Sequence, residues 1–306
     1  MEPEPISRKL SFSDFAAILG MGFFLLIVEA LALFLVRPFQ ENNMQIFEEP
    51  TSIWNPVAYI VIILSFTIFI LITLRYGKKW MVQAFIGFAV MSTLLIIFDV
   101  FTSRILPQYI ASPAALALTV FSAVLLYKYP EWYVIDTVGI VIGAGAASLF
   151  GISLAILPTI VLLIALAVYD AISVYKTRHM IKLAEGVLAL KIPVLLVIPK
   201  KRHYSYRKQK SLGKTGEREA YFMGLGDAVI PAILVVSANV FMREAPGIIA
   251  MINYPALGAM IGSLIGFAVL MTFVVKGKPQ AGLPLLNAGA ISGFLFGCLA
   301  SGISFF

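Results

Sequence analysis

Apolar runs recur along this chain at close to the ~20 residues that cross a bilayer's hydrocarbon core. They fall at 15–36, 56–74, 80–98, 109–127, 133–149, 152–174, 221–242, 247–274 and 282–304. Each predicts a membrane-spanning helix, nine in all. The fifth and sixth runs are parted only by the small-residue stretch from Ala147 to Gly151, where a break is expected because one helix of that combined length exceeds a single span. The only sizeable non-spanning region divides a six-helix N-terminal block (1–175) from a three-helix C-terminal block (221–306), with 176–220 as a cytoplasmic loop. Its first part, MIKLAEGVLALKIPVLLVIP, is apolar but carries Lys182, Glu185 and Lys191 and is interrupted by Pro193 and Pro199. That pattern predicts a membrane-surface segment rather than a tenth span. The basic, Gly- and Ser-containing stretch after it reads as a mobile loop. No repeat of obvious period is present.

Composition agrees with the pattern. Hydrophobic residues make up 60% and charged residues 13%, and the mean hydropathy is +0.94. This is the profile of an all-α polytopic membrane protein. With the N-terminus placed in the cytoplasm and the spans alternating, 20 of the 23 Lys and Arg residues fall inside, and only Arg37, Arg104 and Arg243 fall outside. Basic residues are retained on the cytoplasmic side, so the chain is expected to be a multi-pass cell-membrane protein with a cytoplasmic N-terminus and an extracellular C-terminus. The net charge of +7 is then mostly topology signal with some attraction to anionic headgroups, and nucleic acid is not an expected partner. No cleavable signal peptide is expected, because the first apolar run is too long for one. One cysteine, Cys298, excludes an intrachain disulfide and any cysteine-based zinc site. The absence of an Asn-x-Ser/Thr sequon favours a prokaryotic or archaeal source.

Two aspartates interrupt otherwise apolar spans: Asp170 in the sixth and Asp227 in the seventh. A carboxylate at membrane depth costs a few kcal/mol on insertion scales, so such groups face an interior cavity and usually have a function. Asp170 lies six residues before Lys176, and Asp227 eight residues after Glu219. At a rise of 1.5 Å per residue both sit roughly 9–12 Å inward of the flanking charges, at matching depth on successive helices. Paired carboxylates share one proton, which makes one a base and the other an acid. Such a pair can activate water against a peptide carbonyl while polarising that carbonyl. It titrates as a unit, so neither member can be named the base in advance. Gly224 and Gly226, flanking Leu225, remove side chains beside Asp227 and allow another backbone to approach. Tyr169 can pack over the pair or hydrogen-bond to it.

Tyr169-Asp170 in the sixth span, Gly224-Leu225-Gly226-Asp227 in the seventh and nine spans in total resemble the presenilin and signal peptide peptidase family. The resemblance covers essentially the whole chain. It implies intramembrane proteolysis by a GxGD-type aspartic protease with Asp170 and Asp227 as the catalytic pair. It also implies a Pro-Ala-Leu element at the start of the ninth helix. The literal Pro255-Ala256-Leu257 falls in the eighth span, where Pro255 reads as a kink. Ala281-Gly282-Leu283-Pro284 has the right position and keeps the Leu-Pro end of the longer form of the motif, so it is assigned the role. The charge bias matches the presenilin-like orientation. Expected partners are transmembrane-helix protein substrates and the lipid bilayer; the chain is also compatible with a homo-oligomer. No cofactor and no metal are called for.

Blander readings compete. The aspartates could be a structural pair satisfied by Tyr169, Tyr221 or Asn239. Glu29 is expected to make an interhelical hydrogen bond, and Asp99 and Asp136 to lie at the interface. Both histidines, His179 and His203, fall in the loop, so neither a metal site nor a Ser/His dyad can form at membrane depth, and the small residues Gly289 to Gly293 read as helix packing. No phosphate-binding loop is present. From another class, a proton-coupled transporter or channel would use the aspartates as a relay, but such folds often carry inverted repeats. A prepilin-peptidase-type protease shares the Gly-x-Gly-Asp element but resembles chains with fewer spans.

Overall fold

The computed structural model describes residues 12–76, 79–177, 193–200, 204–208, 219–249, 252–275 and 280–303. Nine α-helices are present among them: α1 Phe12–Glu41, α2 Trp54–Arg75, α3 Lys79–Thr102, α4 Gln108–Lys128, α5 Trp132–Ser153, α6 Ile156–Ala171, α7 Leu225–Phe241, α8 Tyr254–Val275 and α9 Gly282–Ser301. Eight are long and apolar enough to cross a membrane, and α7, at 17 residues, is shorter. Most of the basic loop and of the expected surface segment lies outside the described residues.

Three expected boundaries move. The break between the fifth and sixth spans falls at Leu154-Ala155, beyond the small-residue stretch. Gly143, Gly145 and Gly151 instead lie in α5 where neighbouring side chains press close: Leu225 and Val229 on the first, Ile97 on the second, Val236 on the third. The Leu154 carbonyl freed by the break accepts hydrogen bonds from the hydroxyls of Ser237 (2.7 Å) and Thr159 (3.2 Å). The run 221–242 divides into strand β2 (Ala220–Gly224) and α7, and 247–274 into a small hairpin, β3 (Gly247–Ile249) and β4 (Ile252–Asn253), followed by α8. An apolar run cannot by itself tell a buried strand from a helix. Pro255 is in the first turn of α8, where a missing N–H is harmless, and makes no interior kink. Asn253 just before it caps two helices: its Oδ1 accepts the Ala256 N–H at 2.9 Å, and its Nδ2 donates to the α7 carbonyls of Ala238 and Met242 at 2.9 and 3.0 Å.

Helix α7 is the hub, packing on α1, α5, α6, α8 and α9, with residues 228–238 buried all round. Helices α2 and α4 expose most of their apolar side chains, as lipid-facing helices do. Helices α8 and α9 meet along a glycine seam. Gly258, Gly262 and Gly266 face Gly289, Gly293 and Gly297 so closely that a Cβ on any of them would strike backbone of the opposite helix. Small residues at this spacing are what allow helices to associate in lipid, where no hydrophobic force separates helix from solvent. Fully buried Glu29 on α1 pairs with Ser263 on α8 at 2.6 Å, the interhelical bond expected of it.

At one end of the bundle, β1 (Leu195–Pro199) pairs antiparallel with β2, from Leu195 opposite Gly224 to Pro199 opposite Ala220. The N-terminal end of α5 clamps this sheet. Asp136, near the start of α5, is 2% exposed, and its Oδ1 accepts the Val197 N–H at 2.8 Å on the β1 edge. Glu131 accepts the Ser205 hydroxyl (2.8 Å) and the Tyr206 N–H (3.1 Å). From α1, Asp14 takes an ion pair with Lys200 at 2.6 Å and the Tyr221 hydroxyl at 3.1 Å. The sheet runs directly into α7, so these contacts also fix where α7 begins.

Candidate active site

Asp170 is the penultimate residue of α6, 5% exposed. Asp227 is the third residue of α7, half-buried, with Gly224 as the N-cap. An acidic side chain at that third position reaches back to the N-cap backbone, and the Asp227 carboxyl does bond the Gly224 backbone. The two carboxyls lie within electrostatic reach of each other.

Both converge on one peptide of α9. Asp170 Oδ2 accepts the Leu283 N–H at 3.1 Å and also bonds the Gly282 backbone. A Cβ on Gly282 would stand 2.9 Å from Asp227 Cγ and Oδ2. A helix leaves its first N–H groups without intrahelical partners, and here the carboxylate of another helix takes them. Pro284, next in line, has no N–H to satisfy. Buried Asn287 adds a second tie from α9 to α6, donating to the Leu163 carbonyl at 2.9 Å.

The structure therefore brings together Asp170, Asp227, Gly224, Gly282 and Leu283. Pro284 stands in the first turn of α9, and Ala281 is its buried N-cap. Gly226 is exposed, and nothing lies within 4 Å of where its Cβ would be. Leu225 is turned elsewhere: its N–H donates to the Val194 carbonyl at 2.9 Å, and its side chain fills the notch at Gly139 and Gly143 of α5. Tyr169 is half-buried beside Asp170. Of the alternative partners named for the dyad, Tyr221 bonds Asp14 and Asn239 accepts the Asn253 N–H. Sequence reasoning missed Tyr175 and Gln280. The Tyr175 hydroxyl donates to Gln280 Oε1 at 2.7 Å and accepts the Ala281 N–H at 3.3 Å. No spacing signals this, because it depends on a local change of helix type. No cluster of three or more His, Cys, Asp or Glu suited to a metal ion occurs among the described residues.

A bundle of apolar helices with two acidic side chains meeting at one helix N-terminus fits the class of membrane-embedded aspartyl proteases. Residues 21–303 match the family described as "Signal-peptide peptidase, presenilin aspartyl protease", and the chain belongs to that family. It is thus an integral-membrane, intramembrane-cleaving aspartic endopeptidase. Two solved structures of a presenilin family intramembrane aspartate protease are similar to it. One, in space group C222, is 44% identical, with 92% of this chain and 99% of that one aligned and a TM-score of 0.70. The other, in space group P2, is 45% identical, with 92% and 97% aligned and a TM-score of 0.68. Comparison with curated protein sequences returned no match. Nothing found favours the transporter alternative.

Proposed function

We propose that Asp170 and Asp227 are the catalytic pair, and that they hydrolyse peptide bonds in the transmembrane segments of single-span proteins. The observation that carries this is the convergence of both carboxyls on the Gly282-Leu283 backbone. One carboxylate takes a proton from water as the water oxygen adds to the scissile carbonyl carbon, while its protonated partner gives a proton to the carbonyl oxygen. Collapse of the tetrahedral adduct breaks the C–N bond: the departing amine takes up the abstracted proton from the first carboxyl, and a hydroxyl of the adduct returns a proton to the second, which restores the pair. Open space at Gly226 leaves room for the substrate backbone beside the pair.

The N-terminus lies in the cytoplasm and the C-terminus outside, so the dyad sits toward the cytoplasmic face. Substrates with their N-terminus outside are cut near that face. Purified protein in liposomes is expected to cleave a single-span substrate, with Asp170→Asn and Asp227→Asn each lowering kcat by about 10²–10⁴-fold, the usual range for acid–base groups. Retained cleavage in either correctly folded variant would remove that residue from the mechanism.

A further inference from the structure

Ala281 is the N-cap of α9 and makes no side-chain cap bond. Ser, Thr, Asp or Asn usually stands at such a position and satisfies a free N–H of the first turn. In this chain the service comes from α6. Asp170 takes the Gly282 and Leu283 backbone, and the Tyr175 hydroxyl takes the Ala281 N–H.

Tyr175 reaches that point because α6 changes type just after the dyad residue. Ile172–Thr177 form a π-helical turn. In a continuous α-helix, five residues would carry a side chain about 140° round from Asp170. The i→i+5 bonding of a π turn widens the coil and reduces that angle, and such turns concentrate at functional sites. The same hydroxyl then donates to Gln280 Oε1 at 2.7 Å. One phenol thus bridges a side chain and the backbone of consecutive residues immediately before Gly282.

We propose that Tyr175 is a positioning residue for catalysis, a latch from α6 that holds the α9 N-terminus in place while Asp170 engages water and substrate. The inference rests on the reading of Asp170 and Asp227 as the catalytic pair. Asp170 otherwise has two duties, capping α9 and doing chemistry. During turnover its hydrogen bonds are redistributed, and the Gly282-Leu283 peptide would be free to shift against both carboxyls. Tyr175 supplies a cap bond that does not depend on the state of the dyad. Its side chain is 56% exposed, so it adds little to the core, and its effect is expected in kcat rather than in stability.

The test is Tyr175→Phe, which removes one oxygen and keeps the ring, compared with Gln280→Ala and the double variant in liposome cleavage of a single-span substrate, beside Asp170→Asn and Asp227→Asn controls. A small misplacement of reacting groups lowers rate steeply, so Tyr175→Phe is expected to reduce kcat about tenfold, with KM and Tm close to parental. Gln280→Ala is expected to lower kcat in the same direction, and the double variant to be no slower than Tyr175→Phe alone, because both act through one hydroxyl. An unchanged kcat, a rise in KM alone, or a fall in Tm without a fall in kcat overturns the latch. If Tyr175→Phe does not fold, Gln280→Ala decides by the same criteria. Inactive aspartate controls beside a fully active Tyr175→Phe defeat the latch alone, whereas active aspartate controls defeat the catalytic assignment first.

Discussion

At the scale of single residues, two glycines at the site stand in opposite surroundings. Gly282 is glycine because Asp227 occupies the space a Cβ would need, at 2.9 Å from the carboxyl carbon. Gly282→Ala must push either the carboxyl or the α9 N-terminus aside, and a displacement of that size is expected to lower cleavage about 10²-fold with the bundle still folded. Cleavage rate and thermal unfolding measured on the same preparation check this, and parental activity would show that the site has slack. Gly226 has nothing near its missing Cβ, and its φ is not positive. Because Ala is the better helix former by about 0.5–1 kcal/mol, Gly226→Ala should leave Tm unchanged or raised. If the open space receives substrate backbone, the same change lowers kcat/KM. A variant that is both more stable and fully active would free Gly226 from any role in substrate approach.

At the scale of elements, what was legible in the sequence follows from how much of each signal is one-dimensional. Span-length apolar runs and isolated carboxylates are visible in a string, so the helices and both aspartates could be placed, and Ala281-Gly282-Leu283-Pro284 could be located by position. Strand β2 was hidden because Ala220 to Met223 is apolar and continuous with α7, and only Gly224 marks the change. The clamp of Asp136 on β1 joins residues 61 positions apart, and the π turn that presents Tyr175 leaves no mark in residue spacing. The α8–α9 seam was half visible. Gly258, Gly262 and Gly266, and Gly289, Gly293 and Gly297, repeat every fourth residue, but only their facing backbones reveal that the two rows meet. A branched side chain in the seam has nowhere to go, so Gly262→Leu should destabilise the protein by about 3 kcal/mol or more. Because α9 carries the peptide that both carboxyls meet, cleavage should fall with it. Limited proteolysis and detergent melting test the first expectation, and a stable, active Gly262→Leu would mean the seam can open without moving Gly282.

At the scale of the whole molecule, the ends of the bundle are internally consistent. The C-terminal end of α6, the N-terminal ends of α5, α7 and α9, and the β1–β2 sheet with Lys200 share one end with the dyad. The opposite end holds the Arg104–Glu41 ion pair, which joins the end of α3 to the end of α1. Sidedness then rests on charge alone. Among the described residues, the dyad end carries Lys128, Lys176 and Lys200, and the other end carries Arg37, Arg104 and Arg243. Retention of basic residues predicts that the dyad end is cytoplasmic. With buried Cys298 replaced by Ser, a cysteine introduced at exposed Glu48 should react with a membrane-impermeant maleimide in intact cells, whereas one at exposed Lys128 should react only after permeabilisation. The reverse pattern would invert the molecule without disturbing the chemistry. It would move the cut to the outer face and transfer the substrate preference to proteins of opposite orientation. The two labelling sites thus fix which population of membrane proteins the dyad can reach.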